Sequence, residues 1–250
     1  MIKIILPIFF HLLLARTVCA QYPFDKYPGI ESKAHLNWKV YDRKIEKQKT
    51  DYTLSIPDFF KNKDTLTIRL TAFEKREDSD IRLFRNKTQT IKYTDTIGLE
   101  WINIPDSLFV ADFNGDSLRD VKFYIPNNGC GAYNYYTHVI YLFQKPDCTF
   151  YKLLFTDLFM GFEYRKERDV DGDGNYEIIT QTFQGYGNHN YWLFNLYCFV
   201  NGTLINVNYK NDYPIMVQLL NRENFRITKN ISREKMKKYA KEFPDDYKIE

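Results

Sequence analysis

Asp112-Phe113-Asn114-Gly115-Asp116-Ser117-Leu118-Arg119-Asp120 returns 57 residues later as Asp169-Val170-Asp171-Gly172-Asp173-Gly174-Asn175-Tyr176-Glu177. Past each copy lies a second match: Gly129-Cys130-Gly131-Ala132-Tyr133-Asn134-Tyr135 against Gly185-Tyr186-Gly187-Asn188-His189-Asn190-Tyr191, displaced by 56. Tyr141 and Phe143 then fall opposite Tyr197 and Phe199. With a single one-residue gap, about thirty positions align, which is a duplicated structural unit.

Each copy reads as a β-meander. An acidic loop leads into an apolar strand (Val121–Ile125; Ile178–Phe183), a Gly/Asn turn and a long aromatic strand (Tyr135–Phe143; Tyr191–Val200). A short turn follows (Lys145-Pro146-Asp147; Asn201-Gly202), then a further strand (Phe150–Phe155; Leu204–Tyr209). Tyr, Phe, Val and Ile between turn residues are the all-β signature, and Asn-Gly between apolar runs is a strong hairpin signal. The long strands do not alternate cleanly between apolar and polar, which predicts that both their faces are covered.

Working outward, residues 108–209 hold the two repeats (108–164 and 165–209). Residues 21–107 form an N-terminal β region resembling degenerate blades, with candidate strands Thr65–Thr71, Ile81–Arg85 and Thr88–Tyr93. Residues 210–250 form a C-terminal extension, where Ser232 is placed to cap a helix over Ser232–Phe243 with Met236, Tyr239, Ala240 and Phe243 on one face. Met1–Ala20 reads as a secretory signal peptide: Lys3, an apolar stretch Ile4–Leu14, and small residues at Val18-Cys19-Ala20. An eleven-residue stretch falls short of the roughly 20 that span a bilayer. Export to the periplasm or cell surface is expected, with no transmembrane segment after cleavage. A lipoprotein anchored at Cys19 is the lesser alternative, because Arg16-Thr17-Val18 fits a lipoprotein cleavage box poorly.

The 44% hydrophobic and 27% charged content excludes disorder and a polytopic membrane protein. The formal charge is +3, and it falls to +1 once Lys3 and Arg16 leave with the leader. No basic stripe stands out, so nucleic acid is not an expected partner. The mature chain keeps Cys130, Cys148 and Cys198. In an oxidising compartment Cys148 and Cys198 make the better disulfide pair, and three small buried hydrophobes are the competing reading.

The loops carry the chemistry. D-x-[DN]-G-D-x-x-x-[DE] sets oxygen side chains at positions 1, 3, 5 and 9, and calcium takes six to eight oxygen ligands in such loops. Two calcium sites are expected. Asp112, Asn114, Asp116 and Asp120, with the carbonyl of Leu118, form the first; Asp169, Asp171, Asp173 and Glu177, with the carbonyl of Asn175, form the second. The second loop has one more carboxylate and should bind more tightly. These are not EF-hands, because position 12 holds Phe123 and Thr180 in place of the bidentate Glu.

Val110-Ala111-Asp112-Phe113-Asn114-Gly115-Asp116 and Asp169-Val170-Asp171-Gly172-Asp173-Gly174 resemble the VCBS/FG-GAP repeats of integrin-like β-propellers. The resemblance covers residues 108–209 and implies an all-β fold: an antiparallel meander, or half β-propeller, of repeated blades with calcium loops. The chain is also similar to small exported bacterial half-propellers with two such repeats. Some of those inhibit peptidoglycan hydrolases, which implies a cell-wall hydrolase or another envelope protein as partner. Ser117 departs from the family, whose loop has glycine there.

No catalytic constellation is legible: His35, His138 and His189 sit in no nucleophile motif, and the paired carboxylates are committed to metal. An exported calcium-stabilised binding module of the envelope, not an enzyme, is therefore expected. A hydrolase inhibitor or immunity protein is the alternative, and a glycan-active enzyme is less favoured. Tyr135, Tyr191 and Trp192 are expected to pack inside. Tyr133 and His189, at the turn tips, are the candidate partner-binding residues.

Overall fold

In the computed structural model the described residues are 22–42, 49–73, 79–95, 108–126, 136–159, 165–219 and 225–250. They form an all-β protein of antiparallel sheets with one short C-terminal helix. The first sheet runs in chain order through β2 (Lys39–Asp42), β3 (Lys49–Ile56), β4 (Leu66–Phe73), β5 (Ser79–Arg85) and β6 (Thr88–Asp95). The second sheet holds β7 (Leu108–Ala111), β8 (Asp120–Pro126), β9 (Tyr136–Gln144) and β10 (Phe150–Leu158). Its two edges are the N-terminal β1 (Lys33–His35), on β7, and the C-terminal β15 (Asp245–Ile249), on β10. The third sheet pairs β11 (Ile178–Tyr186) with β12 (His189–Val200), whose far edge is shared by β13 (Thr203–Asn206) and β14 (Ile215–Gln218). The sheets do not close into a barrel, and the arrangement is consistent with a half-propeller-like meander.

The covered faces expected of the long strands follow from the second sheet's place between the other two. Successive residues of a strand point to opposite faces. Along β9, Ile140 and Leu142 join Ile68, Leu70, Ile81 and Leu83 of the first sheet, while Val139, Tyr141 and Phe143 join Tyr197 and Phe199 of the third. Both parities are apolar because both faces have a neighbour. Phe143 and Phe199, equivalent residues of the two repeats, stack with ring centroids 3.8 Å apart and planes 7° from parallel. Nearby, Tyr151 lies over the β12–β13 hairpin, where Gly202 sits at φ +79° and a Cβ would stand 2.6 Å from the tyrosine ring. Only glycine meets both demands.

Buried ions cross the same seam. Lys122 lies between Val121 and Phe123, so it points away from the first sheet. Its ammonium meets the carboxylate of Glu167, which also accepts from Tyr141 Oη, and it donates to the Arg165 carbonyl at 3.2 Å. Asp157, at the end of β10, pairs with the Arg165 guanidinium, and its Oδ1 accepts the Gln181 N–H of β11 at 2.7 Å. Each of these four charges thus has an opposite partner, the condition under which burial is tolerated.

Two expectations are corrected, and the choice left open for the cysteines is decided. The helix over Ser232–Phe243 is only α1 (Arg233–Lys237), capped by Ser232. Lys238, Tyr239 and Ala240 bond three residues back, and Lys241 is then drawn off by the third sheet. Its N–H donates to Asn195 Oδ1 at 3.1 Å and its carbonyl accepts from Tyr197 Oη at 3.0 Å. Met236 is buried, but Phe243 is exposed against Tyr247, and the chain continues as β15. The strand expected over Leu204–Tyr209 is Thr203–Asn206, since Asn206 and Asn208 turn the chain through side-chain bonds to the backbone. Cys148 and Cys198 are free thiols. Cys148 packs on the first-sheet side of the second sheet, whereas Cys198 alternates with Tyr197 and Phe199 and faces away from it. Cys130 lies outside the described residues, as does the leader. Among the described residues no helix is long and apolar enough to cross a membrane.

Because Phe199 joins the two repeats, Phe199→Ala is expected to cost about 3–5 kcal/mol in denaturant unfolding, the range for a buried aromatic. A loss below about 1 kcal/mol would show that the stack does not hold the third sheet to the second.

Candidate metal centre

The two acidic loops repeat not only in sequence but in four backbone-to-side-chain bonds, and differ in a fifth: Asp112 Oδ1 accepts the position-5 N–H of Asp116 at 3.0 Å, whereas Asp169 Oδ1 accepts the position-4 N–H of Gly172 at 2.7 Å. Both position-1 carboxylates accept the position-6 N–H: Asp112 from Ser117 at 2.8 Å, Asp169 from Gly174 at 3.3 Å. Position 3 accepts from position 5, at 3.4 Å in Asn114 and 3.3 Å in Asp171. Position 5 accepts from position 7, at 2.8 Å in both Asp116 and Asp173. The ninth residue reaches back to the second: Asp120 accepts from Phe113 at 2.9 Å and Glu177 from Val170 at 2.7 Å. Asx-type bonds of this kind are what short acidic side chains offer a turn. Position 4 is left-handed in both loops, at Gly115 (φ +73°) and Gly172 (φ +78°). Ser117 takes the left-handed conformation (φ +66°) that Gly174 takes in the second loop, so serine in place of glycine leaves the loop path intact.

The loops touch. A Cβ on Gly115 would stand 3.0 Å from the Gly174 carbonyl oxygen, so the glycine permits the close approach. The ninth residue of each is buried at a strand start. Asp120 also accepts the Gln144 N–H at 2.8 Å, tying loop one to the end of β9.

The loops differ in what they gather. Asp169, Asp171 and Glu177 each place one oxygen within 4.8 Å of the other two. At metal–oxygen distances of about 2.3–2.6 Å, ligands on opposite sides of calcium lie about 5 Å apart, so the three oxygens fit one ion. Asp173 stands outside this group. Asn175 gives its Nδ2 to Cys198 Sγ at 2.9 Å, and its buried Oδ1 has no hydrogen-bond partner. In loop one, Asp112, Asp116 and Asp120 form no comparable group, and Asn114 Nδ2 donates to Asp116 Oδ2 at 3.1 Å. Leu118 contributes its N–H to Asp116.

Electrostatics agree with the chemistry. Burial pushes the Glu177 carboxyl up to about 7, against the Val170 N–H and with Asp171, Asp173 and Asp169 adding to the rise. Burial likewise raises Asp120 to about 8, opposed by its two backbone donors. Asp171 moves down because Lys210 pairs with it. Lys210 is the member sequence reasoning missed. It lies beyond β13, outside both loops, and only the folding of the third sheet brings its ammonium to Asp171. Cys198, facing Asn175, has its thiol pushed up to about 12 by burial.

The turn expected as a contact surface is tighter than the sequence suggests. Gly187 and Asn188, with φ +54° and +62°, make a two-residue hairpin, and His189 is already paired with Tyr186. His189 and Asn190 are exposed, while Tyr191 and Trp192 are buried as expected. Tyr133 and Tyr135 lie outside the described residues.

No protein-family model matches the chain, and comparison with curated proteins and with solved structures gave no match either.

Glu177 ionises near 4.5 as an ordinary glutamate and near 7 in the fold. Between those values the folded protein keeps a proton that the unfolded chain has lost, so stability falls as pH rises through the window. Asp120 extends it towards about 8. In chelator, denaturant midpoints should therefore decline from pH 5 to 8, and saturating calcium, which needs the ionised carboxylates, should flatten the decline. Midpoints that stay level or rise in chelator would contradict the raised carboxyls.

Proposed function

We propose that the chain is an exported, calcium-stabilised, propeller-like binding module of the bacterial envelope. The observation that carries this reading is the convergence of Asp169, Asp171 and Glu177 oxygens within 4.8 Å at the start of β11. Calcium there would be held by those three carboxylates, with Asp173 and the carbonyl of Asn175 as neighbouring oxygens. The ion supplies charge neutralisation and cross-linking, and the residues supply the frame: Asp169 and Glu177 belong to opposite ends of the loop, so one ion ties them together. Free energy of binding to the folded loop then adds to folding free energy. Loop one, whose carboxylates satisfy one another's backbone, is the weaker site. Reading the chain as a VCBS/FG-GAP relative rests on the loop pattern and on the doubled bonding scheme.

Metal-free protein should melt lower than protein in millimolar calcium, and Asp171→Asn should remove most of that difference while Asp112→Asn removes little. An identical melting curve in chelator and in calcium would eliminate the structural ion.

Lys210 separates a calcium site from a charge-paired turn. Its ammonium neutralises Asp171, so an incoming ion must displace it. Lys210→Met should tighten calcium binding about tenfold or less, consistent with an exposed pair worth roughly 0–1 kcal/mol. Weaker calcium binding in that variant would mean the lysine supports the site instead of competing for it.

A further inference from the structure

A cleft of about 530 Å³ opens where the first sheet meets the outer side of loop one, between the Asp58–Lys63 turn and Ser117–Arg119. That volume lies within the roughly 300–1,000 Å³ typical of small-molecule sites. Three cations line it, Lys61, Lys63 and Arg119, against one carboxylate, Asp58. Neither lysine has an ion-pair partner among the described residues. Arg119 gives Nη1 to the Asp58 carbonyl, which fixes the guanidinium at the wall, and its other N–H groups make no hydrogen bond to the described residues. Holding three like charges around one concavity is unfavourable by itself, and an anion in the cleft reverses the sign of that energy.

At the cleft wall is a second, independent feature. Gln144 is only 5% exposed and lines the cleft, and its backbone N–H is used by Asp120. Among the described residues its side-chain amide has no hydrogen-bond partner. An amide that lines a cleft and makes no bond to the wall can donate to and accept from a molecule that enters it. The walls are also fixed in shape: Asp58, Lys63 and Ser117 are all left-handed, with φ of +53°, +66° and +66°. Lys63 N–H closes its turn on the Phe60 carbonyl at 2.8 Å.

We infer that this cleft binds a small organic molecule bearing a carboxylate or phosphate, its oxyanion held by Lys61, Lys63 and Arg119 and its polar body hydrogen-bonded to the Gln144 amide. The site is separate from the carboxylate group of loop two, and its cations are the wrong charge to hold a metal.

Glucose 1-phosphate, glucuronate and glucose share one body and differ in the head group, so calorimetric titration of the full chain with each, in chelator, tests the assignment. Saturable one-to-one binding of the phosphate or the carboxylate sugar, with glucose much weaker, is expected. Whichever anion binds more tightly identifies the head group. Lys61→Gln with Lys63→Gln should weaken that binding about tenfold or more at an unchanged melting temperature, since both side chains are exposed. Gln144→Leu should weaken it while leaving the Gln144 N–H bond in place. Absence of saturable binding by both anions, equal binding of glucose, or undiminished affinity in the double lysine variant would overturn the inference.

Discussion

A buried carboxylate at the ninth position of each acidic loop is the constraint on which the repeats depend. Asp120 and Glu177 sit at the first turn of strand pairing, with almost no exposure, and each accepts the N–H of the loop's second residue. Burying an ionised carboxylate without compensation is costly, and two N–H donors recover only part of that cost for Asp120. Burial accordingly shifts both carboxyls upward, towards the protonated form. The same carboxylates fix where the strands begin: Asp120 holds both its own loop and the end of β9, so the loop cannot shift without breaking the second sheet.

From those starting points the alternation of the strands does the rest. With β8 and β9 in fixed register, Lys122, Tyr141 and Phe143 all face the third sheet, and Phe123, Ile140 and Leu142 face the first. Phe143 meets its own repeat equivalent, Phe199, because duplication gives both copies an aromatic side chain at the position nearest the seam. The ion network Lys122–Glu167–Tyr141, beside Asp157–Arg165, then fixes how the sheets meet, since a displaced charge would be left buried and unpaired. Burial lowers the pKa of Lys122 while the Glu167 carboxylate opposes that shift. Both chain ends are drawn into the same frame: β1 and β15 pair with β7 and β10 and become the two edge strands of the second sheet.

Loop one serves two neighbourhoods at once. Its inner side meets loop two through Gly115, while its outer residues Ser117, Leu118 and Arg119 form a wall of the cationic cleft. Acidic and basic surfaces thus lie on either side of one nine-residue segment. The opposition follows from turn geometry, which sends the side-chain oxygens of Asp112, Asn114 and Asp116 inward onto the turn's own N–H groups and leaves Arg119 outside.

The amino-acid sequence alone determined the duplication, the all-β class, the positions of the repeat strands and of β4, β5 and β6 within a few residues, and the acidic loops, because these are local: turn residues, strand-forming residues and carboxylate spacing each act over less than a dozen positions; β1, β2, β3, β7, β14 and β15 were not legible in it. It also set the burial of Tyr191 and Trp192. The tertiary structure alone decided that Asp173 stands apart from Asp169, Asp171 and Glu177, that Lys210 pairs with Asp171, and that Cys148 and Cys198 face opposite ways. It likewise ended the C-terminal helix at Lys237, where the pattern Met236, Tyr239, Ala240, Phe243 continues, because Asn195, Tyr197 and Asn206 bind the Lys241 backbone and redirect the chain into β15. Each of these outcomes depends on groups far apart in the chain, whose distances are fixed only when the sheets pack, and no local pattern encodes that distance.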